Sequence, residues 1–175
     1  MKNKSINITF SALFTAIISI FAQISFVTPA VPITLQILGI ALCGYTLSLK
    51  WSIASVATYI AIGALGLPVF SSFKGGIQVI LGPTGGFIWG FLFLALFCGL
   101  TKKFENIIIK AVLSFVGLAL CHIMGVLQYS LVSGNSIAVS FLTASLPFLL
   151  KDSVLMIIAF LLSRFITNRL KNLKL

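Results

Sequence analysis

Acidic side chains are almost missing from this 175-residue sequence, which has only Glu105 and Asp152. Paired carboxylates for acid–base catalysis or for holding Mg²⁺ are therefore excluded. Histidine occurs once, at His122, and the three cysteines (Cys43, Cys98 and Cys121) are far apart in apolar runs with no CxxC spacing. Neither a zinc site nor a disulfide framework fits that inventory, and the cysteines read as small buried residues. Charge of either sign is scarce, at 8% of residues against about a quarter in a soluble domain. The net charge of +10 comes from basic residues set singly between apolar runs, with no stripe of interleaved aromatics. That pattern excludes nucleic acid as a partner and fits a topogenic role.

What is abundant is hydrophobic length. Apolar residues make up 59% of the chain and need lipid as their solvent. A helix crosses the hydrocarbon core with about 20 apolar residues. Six segments qualify: Ile6–Val27, Pro32–Leu49, Trp51–Leu67, Pro83–Thr101, Ile107–Leu131 and Phe148–Ile166. The breaks carry turn chemistry at Thr28-Pro29-Ala30-Val31-Pro32, Gly66-Leu67-Pro68, Gly75-Gly76, Gly82-Pro83 and Ser133-Gly134-Asn135. The expected architecture is an all-α integral membrane protein, a bundle of six transmembrane helices in a single domain over residues 1–175. Lys2 and Lys4 before an apolar stretch resemble a signal peptide, but the stretch is long and lacks a small-residue cleavage site, so it is assigned to a mature helix.

Orientation follows from the loops. With the N-terminus inside, the inner face receives Lys2, Lys4, Lys50, Lys102, Lys103, Lys110, Arg164, Arg169, Lys171 and Lys174, ten of the twelve basic residues. Both termini are then expected in the cytoplasm. Lys74 and Lys151 stay on the outer half. Lys74 lies in the loop between the third and fourth spans. Lys151 lies at the start of the sixth, beside Asp152. Ionisable groups at membrane depth face a bundle interior or a watery cavity. Two readings of the 151–152 pair stand at this point: a snorkelling lysine with its acid as partner, or a pair shaped for a solute.

In this orientation the second, fourth and sixth spans all start at the outer face, at Pro32-Ile33-Thr34-Leu35-Gln36, Gly82-Pro83-Thr84-Gly85-Gly86 and Leu146-Pro147-Phe148-Leu149-Leu150-Lys151-Asp152. Each puts proline near a helix start, where its missing N–H costs least. Free amides and positive dipole ends would point outward, toward an anion or a hydrogen-bonding solute. With the loop Pro68–Leu81 they outline an outward-facing pocket. Gly82–Gly86 lacks the Lys-Ser/Thr ending of a P-loop, so ATP hydrolysis, if used, belongs to another subunit. In the first span, Ala12 and Ala16 have the small-xxx-small spacing that lets helices approach closely.

These motifs resemble those of BioY, the family of biotin-binding S components of energy-coupling factor (ECF) vitamin transporters. The matching stretches are Phe21-Ala22-Gln23-Ile24-Ser25 with Val31–Gln36, Gly66-Leu67-Pro68-Val69-Phe70 with Leu81–Phe87 and Gly90-Phe91, and Pro147-Phe148 with Asp152. The resemblance implies a six-helix S component in the plasma membrane that takes biotin from outside. It implies docking on a transmembrane coupling subunit driven by two ATPases, with no enzymatic activity and no cofactor of its own. It also assigns Ala12 and Ala16 to the face that meets the coupling subunit. Many members have the pattern Pro-Phe-x-x-Gly-Asp-x-x-Lys. Here Lys151 occupies the glycine position and Leu155 the later lysine position, so the base has moved by one helical turn.

Biotin presents a ureido ring, an apolar thiophane with its chain, and a carboxylate. Asp152 is the candidate acceptor for the ureido N–H groups, and Lys74 or Lys151 the candidate cation for the carboxylate. Thr34, Gln36 and Gln128 are candidate polar contacts. Gly82 and Thr84 belong to the Gly75–Gly86 segment expected to cover the site. Rival readings are an S component for another small vitamin, a stand-alone channel or exporter, and an intramembrane enzyme. The last needs a nucleophile or metal constellation that one histidine and two acids do not make.

Overall fold

The computed structural model describes residues 4–26 and 31–172, the last three by backbone alone. Lys2, Lys174, the Lys171 side chain, the Thr28-Pro29-Ala30 break and the expected span end at Val27 lie outside the described residues. Among the described residues the helices are α1 (Lys4–Gln23), α2 (Gln36–Thr46), α3 (Leu49–Ala64), α4 (Ile77–Leu81), α5 (Gly85–Leu100), α6 (Ile107–Ser133), α7 (Ile137–Ala144) and α8 (Leu146–Asn172). One small antiparallel hairpin, β1 (Ser25–Phe26) with β2 (Ile33–Thr34), pairs Ser25 with Thr34 and Phe26 with Ile33. Four segments, Lys4–Gln23, Gly85–Lys103, Ile107–Ser133 and Leu146–Arg169, are long and apolar enough to cross a membrane.

The expected second span, Pro32–Leu49, is a shorter helix here. Proline biases the residue before it toward extended backbone and has no N–H to give a helix. Ile33 and Thr34 are spent on the hairpin, and α2 starts only at Gln36. Its 11 residues reach about 17 Å, short of the bilayer core. Every one of them except Leu38 is buried. The helix therefore takes its apolar solvent from α1, α5 and α8, which pack around it. The third span starts two residues early, at Leu49, and ends at Ala64 because Gly66 turns the chain at φ 105°. The connection after α6 contains a helix that was not expected, α7, with the Ser136 hydroxyl accepting from the Val139 N–H at its start. α8 begins at Leu146 with Pro147 in its first turn, where the missing N–H is no loss.

Hydroxyls join helices where apolar packing against lipid gives little drive. Ser11 on α1 lies 2.9 Å from Ser55 on α3, and Thr15 donates to the Ser55 carbonyl at 3.0 Å. Tyr45 on α2 donates to Ser114 on α6 at 2.7 Å. Such bonds contribute on the order of 0.6 kcal/mol each in membranes. α5 and α6 make the most extensive interface, and Gly86 and Gly90 make it possible. A Cβ on Gly90 would sit 2.6 Å from Cys121 Cα, and one on Gly86 would run into the Met124 carbonyl. Gly90→Leu is therefore expected to pry α5 from α6. Overpacking of this kind costs about 1–3 kcal/mol, measurable as a lower thermal unfolding midpoint in detergent.

Candidate functional site

The starts of α2, α5 and α8 converge on the middle of α6. Around that point lies a cavity of about 50 Å³, lined by Thr34 and Gln36, Phe87 and Phe91, Cys121 and His122, and Phe148, Lys151 and Asp152. A second chamber of about 40 Å³ shares Val31, Pro32, Gln36, Phe87 and Phe91 with the first and extends to Phe70, Ser71 and Thr84. The segment 31–32 and the two phenyl rings border both chambers.

The polar end of the first chamber is a chain of contacts. Asp152, 4% exposed, lies in the second turn of α8. Its Oδ1 is 2.6 Å from Lys151 Nζ and its Oδ2 is 3.3 Å from His122 Nε2. Lys151 donates to the Thr34 carbonyl at 3.0 Å, bridging α8 to the end of the hairpin. His122 Nδ1 lies 2.8 Å from Ser145 Oγ. With the proton on Nε2, directed at the carboxylate, Nδ1 accepts from the serine, so this tautomer serves both neighbours. Beside this chain runs a second one. Thr34 Oγ1 donates to Gln36 Oε1 at 2.9 Å, Gln36 Nε2 to Tyr59 Oη at 2.7 Å, and Tyr59 to the Val69 carbonyl at 3.3 Å.

Ser145, His122 and Asp152 are the residue types of a hydrolytic triad, but the geometry is not one. A triad puts serine on Nε2 and the acid on Nδ1; here the two are exchanged, and Ser145 is completely buried. The trio holds the carboxylate in place. Among the described residues no three His, Cys, Asp or Glu side chains gather as metal ligands do.

Of the residues singled out by sequence, Asp152, Lys151, Thr34 and Gln36 come together in one chamber, and Thr84 borders the other. Gln128 sits behind the site. Its amide donates to the carbonyls of Ile80 at 2.7 Å and Gly82 at 2.8 Å, fastening the turn that leads into α5. Lys74 is exposed on the loop after α3 and lines neither chamber. Ala12 and Ala16 lie on the exposed side of α1, opposite Ser11, Phe14, Thr15 and Ile18, which pack inward. His122, Tyr59 and Ser145 were missed. The signal for His122 was present: an ionisable ring inside an apolar run is a functional flag in membranes.

Gln23, at the end of α1, holds the loop after α3. Its side chain donates to the carbonyls of Pro68 and Phe70 and accepts from the Phe73 N–H at 2.9 Å. Ser72 and Phe73 follow one another in left-handed backbone, at φ 59° and 55°. Two such non-glycine residues in sequence cost on the order of 1–3 kcal/mol each and persist only because the surroundings fix them.

The chain is similar to known proteins over nearly its whole length. The BioY family model matches residues 1–172. The chain is 37% identical over 168 residues to the biotin transporter BioY of Thermotoga maritima, covering 94% of this chain and 95% of that protein. It is 29% identical over 171 residues to the biotin transporter BioY of Rhizobium etli, covering 90% and 91%. The fold matches a crystal structure of the S-component for biotin from an ECF-type ABC transporter, with a TM-score of 0.86 and 28% identity over 96% of this chain and 95% of that one. With a family match over nearly its whole length and relatives of this similarity, the chain belongs to the BioY family.

Proposed function

We propose that this multi-pass plasma-membrane protein captures biotin and is the substrate-specific subunit of an ECF-type transporter, with a transmembrane coupling subunit and two ATPase subunits as partners. The observation that carries the reading is the Lys151–Asp152 pair, held 2.6 Å apart at the polar end of an otherwise largely apolar chamber. A ureido group has an acceptor beside its donors. A fixed ammonium next to a fixed carboxylate is the complement: Asp152 accepts from an N–H while Lys151 donates to the carbonyl. Phe87, Phe91 and Phe148 supply the apolar slot for the thiophane and chain. The biotin carboxylate, at the far end of the molecule, then points away from Lys151, toward the loops that carry Thr84 and Lys74.

Drug-sized ligand pockets run to roughly 300–1,000 Å³, far above the two chambers of about 50 and 40 Å³. Loading therefore requires the segment 31–32 and the 68–81 loop to part, joining the chambers into one. The chain acts as a single substrate-binding unit of six passes, α1, α3, α5, α6, α8 and the short α2 extended by the 31–35 stretch before it, with both termini in the cytoplasm.

Calorimetric titration of the detergent-purified protein tests the function. Biotin should bind to the protein alone, and uptake into vesicles should need the coupling and ATPase subunits. Absence of biotin binding in a monodisperse sample would refute the reading, and binding of a different vitamin instead would change the substrate. Topology has its own test on a background without native cysteines. Asn135→Cys should react with an impermeant thiol reagent from outside, and Lys103→Cys only after permeabilisation. The reverse pattern would invert the protein.

A further inference from the structure

At the end of the bundle remote from Asp152, the cleft between α6 and α8 opens into a cavity of about 640 Å³ bordered by Lys102, Glu105, Lys110 and Arg164, with Thr167 and Asn168 beside them. A narrower apolar groove of about 100 Å³ continues from it, lined by Ala111, Phe115, Met156, Ile157 and Phe160. Tyr45, Ile107, Lys110 and Phe160 border both, so cavity and groove are one continuous cleft. We propose that this cleft binds an anionic phospholipid, its phosphate among Lys102, Lys110 and Arg164 and one acyl chain in the groove.

The charge balance and the shape both favour that occupant. Three cations face one carboxylate, Glu105, at the cavity. Lys102 already gives hydrogen bonds to the Thr46 and Leu47 carbonyls at the end of α2. Among the described residues, the Lys110 ammonium and the Arg164 guanidinium take part in no ion pair or hydrogen bond. The N-terminus of α6, starting at Ile107, adds its positive dipole end to the same space. A topogenic lysine needs only to lie near a span end, whereas Lys110 is half-buried in the first turn of α6 and borders cavity and groove together. The groove is closed below by Tyr45, whose hydroxyl is spent on Ser114, and it offers an acyl chain a dry path. Ile107, Phe115 and Ile157 around it are 56%, 43% and 54% exposed, so the cleft faces the bilayer. Basic pockets between transmembrane helices bind anionic headgroups in this way. Which leaflet supplies the lipid rests on the topology proposed above; the cleft itself does not.

Native mass spectrometry of the detergent-purified protein tests the proposal with dioleoyl phosphatidylglycerol against dioleoyl phosphatidylcholine. Phosphatidylglycerol should be retained about tenfold or more over phosphatidylcholine, the scale expected of two unpaired cations. The double variant Lys110→Gln, Arg164→Gln should bring it down to the phosphatidylcholine level. Ala111→Trp, which fills the groove, should lower retention of both lipids. Monodispersity and the thermal midpoint serve as fold controls, so the result does not depend on biotin binding. Equal retention of the two lipids by the wild type, or an unchanged preference in the double variant, would overturn the proposal. So would displacement of phosphatidylglycerol by millimolar glycerol 3-phosphate, which would make this a site for small anions. If the double variant kept its lipids but no longer co-purified with the coupling subunit, the cleft would be a protein interface and the proposal would again fail.

Discussion

Replacing both Ala12 and Ala16 by Trp is expected to reduce biotin uptake to background while biotin binding by the isolated protein stays unchanged. Both alanines lie on the exposed side of α1, and the residues that anchor this helix, Ser11, Phe14, Thr15, Ile18 and Ala22, are on the other side. Ser11 and Thr15 tie that inner side to Ser55 of α3, so indoles at 12 and 16 displace nothing within the bundle. They meet only what comes from outside, and a small-xxx-small face is useful because a partner helix packs close against it. Co-purification of the coupling subunit and vesicle uptake give the readout, with calorimetry as the control. Normal assembly and transport by the double variant would reduce this face to ordinary lipid-exposed surface.

Asp152→Asn should weaken biotin binding by roughly ten- to more than a hundredfold, the equivalent of the about 1.5–3 kcal/mol of a hydrogen bond to a charged group. The amide keeps the shape and one carbonyl acceptor but no longer balances the Lys151 charge 2.6 Å away. Lys151→Met separates the roles within the pair. If Lys151 serves the ureido carbonyl, biotin and biotin amide lose affinity alike. A selective loss for biotin would instead put its carboxylate on this lysine. His122→Gln completes the series. It keeps a donor toward Asp152, so it should weaken binding less than Asp152→Asn does. Unchanged affinity in a well-folded Asp152→Asn protein would remove this carboxylate from the site.

The parts of this site that sequence revealed are those where chemistry was scarce. Two acids in 175 residues make Asp152 conspicuous, and its place at the start of a span points to a cavity. Proline and glycine marked where helices begin, and α5 and α6 follow the expected limits within a few residues. The length of α2 was hidden because hydropathy alone does not tell a buried helix from a spanning one: both are continuously apolar. The hairpin that shortens it depends on Ser25–Phe26, about eight residues upstream. α7 escaped because its 8 residues are too few to count as a span. The roles of Gln128 and His122 depend on what lies across from them, and no spacing in the chain encodes that. Gln128 was a candidate polar contact, and its amide goes to the carbonyls of Ile80 and Gly82.

The mutual satisfaction of Lys151 and Asp152 has an electrical consequence. The Lys151 ammonium and the Asp152 carboxylate, 2.6 Å apart, sum to zero charge. A membrane potential acts on a charge with about 2.3 kcal/mol per 100 mV and on a neutral cluster not at all. Any reorientation of the empty protein is thus insensitive to voltage at this site. Biotin arrives as an anion and makes the loaded site negative, so a cytoplasm held negative opposes its inward passage. Under the proposed function the energy to overcome that opposition comes from the ATPase subunits, and uptake should slow as the interior is made more negative.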